Sequence, residues 1–312
     1  MSSRGPASRR RLLVAGLGTV AGLAAAGAGG LELVARGILP GQQVLDRFDG
    51  ACSVPAPPLD FAAPGRSLSG SFYSRARRQR VGYTIAYPPG HGPGSTLPLI
   101  IGLHAYGGNH ASTLGGIAPA RMLALRIAGR PLPPMAYAAA DGGGLYWNPH
   151  PRDDPMAMVI DELIPMCARM GLGAAPQPVG TLGISMGGYG AILLAEKHPA
   201  LIRAAAAISP AIWTSYPQAR AVNSGAYASA AAFRSADAVT HAAALRGVAV
   251  RVASGLSDPF RPGVQALARA LPPGAIVDIS KGCHSGPFFL SQVPPSLAFL
   301  GAHLSRRSQR SG

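Results

Sequence analysis

The chain reads as an α/β protein, a mostly parallel eight-stranded sheet covered by helices on both faces. Three observations carry this. Hydrophobic residues make up 48% of the 312 and charged residues only 13%, so a large core can be buried and intrinsic disorder is excluded. From about residue 66, short β-rich runs alternate with helical stretches, the order that builds a parallel sheet from β–α–β crossovers. The later runs, Leu99-Ile100-Ile101, Val179 to Ile184 and Val248 to Val252, are almost wholly apolar, as strands buried on both faces must be; Arg251 is the exception.

Taken in order, the first segment is an export signal. Ser8-Arg9-Arg10-Arg11 leads into a run from Leu12 to Gly30 without a charge, the basic and apolar regions of a secretory signal. The adjacent arginines resemble the twin-arginine type, and Ala26-Gly27-Ala28 suits cleavage. Residues 1–30 are thus a signal peptide or, uncleaved, a membrane anchor; either places the following domain outside the cytoplasm, secreted or anchored. Gly16-Leu17-Gly18 with Gly22 is no dinucleotide turn, because no strand precedes it. Residues 31–65, rich in Pro and Ala, form an amino-terminal extension, and 66–305 the catalytic domain. Its strands are expected at 68–74, 80–88, 97–104, 134–140, 178–184, 204–209, 248–254 and 275–280. The first two pair as an antiparallel edge hairpin whose tip carries Arg75, Arg77, Arg78 and Arg80, a solvated turn. Helices are expected at 117–129, 153–171, 186–198, 263–271 and 291–305. Asp153-Asp154-Pro155 starts the second of these, and Pro165 should kink it. Residues 211–246 exceed an ordinary connection and form a small cap, and 306–312 are a basic tail.

Charge excludes a further class. The net charge is +15, with two lysines against 26 arginines. Eleven of the basic residues fall in three short segments, at 4–11, 75–80 and 306–310. The remainder is close to balanced, so no nucleic-acid partner is expected. Contact with a membrane or anionic envelope surface is the use such clusters would have. No Cys/His set has metal-ligand spacing, so no metal is expected.

One motif carries chemistry. Gly183-Ile184-Ser185-Met186-Gly187 is a G-x-S-x-G that follows an apolar strand and opens a helix. The glycines let Ser185 sit on a strained strand-to-helix turn with backbone crowded on both sides. Ser185 is therefore the candidate nucleophile. In α/β-hydrolases an acid and then a histidine follow the serine. Of Glu196, Asp237, Asp258 and Asp278, only Asp258 falls straight after a strand, at the carboxyl edge where ligands bind. Of His284 and His303, only His284 sits just after the last strand. Ser185 would attack, His284 would take and return the proton, and Asp258 would hold the imidazole in the right tautomer. The oxyanion hole would use the N–H of Met186 and that of Tyr106, with Ala105 next, in the loop His104-Ala105-Tyr106-Gly107-Gly108-Asn109. Trp147 is a candidate for the substrate mouth. His104 is a structural residue at a strand end and a weaker candidate for substrate contact.

From about 66 to 303 the chain resembles the putative-esterase family of α/β-hydrolases, which holds esterase D, feruloyl esterases and mycobacterial mycolyltransferases. The resemblance rests on the loop from Leu103 to Gly108, on GISMGGYG at 183–190, on SDPF at 257–260 and on Gly282-Cys283-His284. It implies acyl-ester chemistry on a small-molecule or lipid ester, with no cofactor. Ala105 departs from the glycine more usual after the loop histidine. A serine esterase gives the acyl group to water, and an acyltransferase gives it to a sugar or lipid hydroxyl, water exclusion by the cap being the deciding feature. A non-catalytic envelope-binding protein is the third reading.

Three cysteines remain. Cys167 lies on the apolar stripe of helix 153–171 and is a buried hydrophobe. That leaves a Cys52–Cys283 disulfide in an exported chain, fixing the turn of His284 and tethering the extension; three unpaired cysteines are the alternative.

Overall fold

The computed structural model describes residues 50–305. The export signal, the twin arginines, most of the extension and the basic tail lie outside them. In chain order the elements are β1 (Asp60–Phe61), β2 (Ser67–Ser74), β3 (Gln79–Ala86), β4 (Leu99–Leu103), α1 (Pro119–Leu123), β5 (Leu125–Ile127), β6 (Arg130–Pro131) and β7 (Ala136–Ala140). Helix α2 follows in three segments, Pro155–Ala157, Met158–Leu163 and Ile164–Arg169. Then come β8 (Val179–Ile184), α3 (Met186–Lys197), β9 (Ile202–Ile208), α4 (Tyr216–Val222), α5 (Ala230–Ser235), a 3₁₀ turn (Ala242–Leu245), β10 (Ala249–Ser257), α6 (Arg261–Ala270), β11 (Ile276–Cys283) and α7 (Gly286–Leu304).

Eight strands form one sheet in the order β11-β10-β9-β8-β4-β7-β3-β2. It is parallel from β11 to β7 and antiparallel through β3 and β2. Side chains alternate across it as the pleat requires. Leu99, Ile101 and Leu103 of β4 join the core under α2, α3 and α6, whereas Ile100 joins the core under α1 and α7.

The sequence expectations need two corrections here. The hairpin tip is not wholly solvated. Arg77 is buried, and its guanidinium donates to both carboxylate oxygens of Asp153, at 2.7 and 2.9 Å, and to the Asp141 carbonyl. A fork of donors meeting a carboxylate bidentately offsets the desolvation that burial imposes, while Arg75, Arg78 and Arg80 stay exposed. The helix expected over 117–129 stops at Leu123, because Ala128 and Gly129 take positive φ (50° and 74°) and turn the chain into the small sheet β1-β5-β6. Pro165 disturbs α2 without ending it. It supplies no N–H to the carbonyl a turn earlier; the helix widens to a π turn over Met158–Leu163 and continues, with the Ile164 N–H donating to the Val159 carbonyl. Asp154, not Asp153, caps the start by accepting from the Ala157 N–H at 2.8 Å.

Arg251 is buried in β10 and donates to Gln292 Oε1 (2.7 Å) and Ser296 Oγ (3.1 Å), both on α7, so it ties that helix to the sheet. Cys52 and Cys283 are disulfide-bonded, with Cα atoms 4.9 Å apart, and Cys167 is a buried free thiol whose pKa burial pushes up to about 12. Closing a loop between residues 231 apart contributes about 5 kcal/mol in the chain-entropy account.

Glu196 on α3 is buried, and neither carboxylate oxygen has a protein partner. Burial lifts its pKa from 4.5 to about 9, with Asp237 adding and Lys197 opposing. The folded state therefore keeps a proton that the unfolded chain releases above pH 4.5, so stability falls as pH rises from there towards 9. Glu196→Gln should melt higher than the parent near pH 8 and close to it near pH 4.5. Thermal unfolding at both pH values checks this, and equal differences at the two would contradict it.

Candidate active site

The site begins with a steric problem solved by glycines. Strand β8 ends at Ile184 and α3 starts at Met186, leaving Ser185 to turn the chain with φ 57° and ψ −119°. A left-handed φ in a residue with a side chain costs on the order of 1–3 kcal/mol and persists only where the surroundings enforce it. They do so here. The Ser185 N–H donates to the Ile208 carbonyl (2.9 Å), and its carbonyl accepts from the N–H groups of Tyr189 and Ala211 (3.0 Å each). A methyl on Gly183 would lie 2.1 Å from the Gly187 carbonyl oxygen, and one on Gly187 would lie 1.8 Å from the Leu103 carbonyl oxygen. The turn cannot close with larger residues there.

The three residues singled out for the triad meet. Ser185 Oγ is 2.9 Å from His284 Nε2, and His284 Nδ1 is 2.9 Å from Asp258 Oδ2. Asp258 is buried after β10, and its other oxygen accepts from the Phe260 N–H at 2.8 Å. With the carboxylate acceptor-only, Nδ1 carries the hydrogen and Nε2 is left to accept from the serine hydroxyl. The imidazole lies between two rings, Phe260 at 5.2 Å and Phe289 at 5.1 Å edge-on. Sequence reasoning missed both, although Phe260 stands two residues after Asp258 in the same turn.

The loop after β4 bends at Gly107 (φ 76°), with the Gly108 N–H bonded to the Ala105 carbonyl at 2.9 Å. Among the described residues, neither the Tyr106 nor the Met186 N–H donates to a turn or loop carbonyl. The Tyr106 ring is largely exposed at the rim. His104 lies beneath. Its Nε2 accepts from the Gly142 N–H (2.8 Å), so Nδ1 carries the hydrogen and donates to the Ala105 carbonyl (2.9 Å). Burial lowers its pKa and favours this neutral form. It braces the loop and also borders the cleft described below.

Trp147 is not at the mouth. It is 2% exposed, packs on His104 at 5.0 Å, and occupies the space that glycines 142 and 190 leave open. A large apolar ring beside two glycines gains more from filling that space than from lining a wet cleft.

A cleft of about 480 Å³ opens between the loop at 103–116, Ile184, and Gly286 and Phe289 of α7, with Tyr137 as its floor. No cap residue lines it. The cap is pinned elsewhere. Tyr189 Oη donates to the Ala236 carbonyl (2.6 Å), Lys197 Nζ to the Ser235 carbonyl (2.6 Å), and Asn148 Nδ2 to the Ala226 carbonyl (3.3 Å).

Gly187→Ala should disturb both stability and turnover. Overpacking costs roughly 1–3 kcal/mol, and displacing the end of β4 by about 1 Å should lower kcat by on the order of 100-fold. Urea unfolding and ester-hydrolysis kinetics measure the two effects. A variant matching the parent in both would contradict the packing account.

The family described as Putative esterase matches residues 133–271, the part that carries Ser185 and Asp258. No curated protein matches the chain. Similar solved structures include a ferulic acid esterase, at 18% identity over 77% of this chain and 99% of that one, with a TM-score of 0.64. The S-formylglutathione hydrolase of Agrobacterium tumefaciens is 18% identical over 80% and 99%, with a TM-score of 0.60. MPT51 of Mycobacterium tuberculosis is 18% identical over 78% and 100%, with a TM-score of 0.58. At that identity the structures speak for the fold. The chain has the α/β-hydrolase fold, and across residues 133–271 it is similar to the family described as Putative esterase.

Proposed function

We propose that the chain hydrolyses carboxylic esters through an acyl-enzyme on Ser185, with His284 and Asp258 completing the triad. The observation that carries the roles is the chain of two 2.9 Å contacts from Ser185 Oγ through His284 to Asp258. Ser185 Oγ attacks the ester carbonyl as its proton passes to His284 Nε2. The oxyanion is held by the Met186 and Tyr106 N–H groups, and the first turn of α3 adds the positive end of its dipole. His284 then protonates the departing alcohol. Water, deprotonated by the same nitrogen, attacks the acyl-enzyme and releases the acid. Asp258 stays ionised and holds the ring.

Water as acceptor, rather than a sugar or lipid hydroxyl, is supported by the cap. Residues 211–246 are fastened to α3 and to the loop at 148 and wall no part of the cleft, so the cap does not enclose an acyl group held there. Ser185→Ala should lower kcat for p-nitrophenyl esters by at least about 10⁴-fold with an unchanged circular dichroism spectrum. A folded variant keeping a tenth of the activity would remove Ser185 from its role. Turnover of acetate to palmitate esters that rises strongly with an added sugar acceptor, with transesterified product, would favour transfer.

We further propose that the domain works outside the cytoplasm. The basic and apolar pattern of residues 9–30 supports it, as does a disulfide of the kind that persists in oxidising compartments. Changing both Arg9 and Arg10 to Lys should leave folded protein in the cytoplasm on fractionation. Undiminished export would point to a general secretory signal or a plain anchor.

A further inference from the structure

The cleft beside the candidate nucleophile is lined by neutral groups, with a phenol at its floor. Leu103, Leu114, Ile184 and Phe289 supply its apolar lining, beside Ser112, Thr113 and Tyr106. No Asp, Glu, Lys or Arg lines it, and His104 borders it in the neutral form that its bonds to Gly142 and Ala105 select. Tyr137 lies at the bottom, 3% exposed, on the α7 face of β7. Its hydroxyl has no hydrogen-bond partner among the described residues, and burial raises its pKa, keeping the phenol neutral. The phenol oxygen is not sealed away like that of Tyr87; it meets the cleft, where a ligand can pair with it. Room has also been made for it. A methyl on Gly102 in β4 would lie 1.8 Å from Tyr137 Oη, so the phenol tip passes directly over a glycine in the middle of a buried strand. Glycine weakens a strand interior and marks a place where another group must approach closely. Here that group is a phenol carried to the base of the cleft.

We infer that Tyr137 is a specificity residue, and that the arm of the ester entering this cleft is uncharged, with a hydrogen-bonding oxygen, such as a hydroxyl, at its far end. The inference rests on the nucleophile reading, since the cleft is placed by Ile184, next to Ser185, and by Phe289, which packs on His284. The phenol can donate to that oxygen or accept from it. A carboxylate or ammonium end would find no counter-charge and would lose its hydration.

The test uses paired esters. Wild-type protein and Tyr137→Phe are assayed on p-nitrophenyl esters of ω-hydroxy acids and their unsubstituted parents from four to ten carbons. A second pairing uses acetates of diols and of simple alcohols. In the wild type, at one length in one series, the hydroxylated member should lead in kcat/KM by about tenfold, the factor a single buried neutral hydrogen bond supplies. In Tyr137→Phe that ratio should fall to about one. A ratio flat across both series, or a preference that survives in Tyr137→Phe, would overturn the inference. Should the variant not fold, calorimetric binding of the paired ω-hydroxy and unsubstituted amides to wild-type protein gives the answer without turnover: equal affinities at every length overturn it. An inactive wild type would instead count against the nucleophile reading, and the amide measurement still decides the floor of the cleft.

Discussion

Helix α3 begins against the end of β4 at a distance that admits no side chain, and the site is arranged around that contact. Gly187 meets the Leu103 carbonyl and Gly183 meets the Gly187 carbonyl, so the chain can leave β8 only by forcing Ser185 to a left-handed φ. The strain is held by three backbone bonds to Ile208, Tyr189 and Ala211. The same contact sets the position of Leu103, and so of the loop His104–Gly108 that begins beside it. The candidate nucleophile and the proposed oxyanion loop are thus placed by one interaction, and neither depends on a flexible side chain.

The histidine side is held by different means. β10 and β11 run parallel to the carboxyl edge, where the side chains of Asp258 and His284 meet in a 2.9 Å hydrogen bond. Gly255 lies against the Gly282 carbonyl, Phe288 and Val54 fill the space over Gly282, and the disulfide fastens Cys283 to Cys52. Phe260 and Phe289 then leave the imidazole little freedom except along the line from Asp258 to Ser185. Geometry of this kind lowers the barrier by fixing reacting groups before substrate arrives. The cap is likewise pinned, to α3 and to Asn148, and lines no part of the cleft.

Much of this was legible in the sequence because the informative features are local. All eight strands of the main sheet appear as apolar or alternating runs, and Ser185, Asp258 and His284 each follow a strand directly, so order and position sufficed to pick, from several candidates, three residues that the fold brings together. Other features depend on partners distant in sequence. Arg77 looked like one of four solvated arginines because its partners, Asp141 and Asp153, lie more than sixty residues away. Trp147 looked like a mouth residue because nothing nearby announces that glycines 142 and 190 will leave it a slot. The helix pattern over 117–129 was broken by a turn at Ala128-Gly129 whose value lies in pairing β5 with β6. Gly102 and Tyr137 carried no local signal, since their meaning appears only when β4 and β7 pair.

The account's central claim is that Ser185 is the activated nucleophile of an assembled triad. Reaction of the folded protein with a fluorophosphonate, followed by peptide mass spectrometry, measures this most directly, because the reagent needs an activated serine and an oxyanion hole but no knowledge of the natural ester. The account predicts one stoichiometric adduct, on the peptide containing Ser185, and its loss when His284 is replaced by Ala. No adduct on the folded protein, or an adduct confined to another residue, would contradict it.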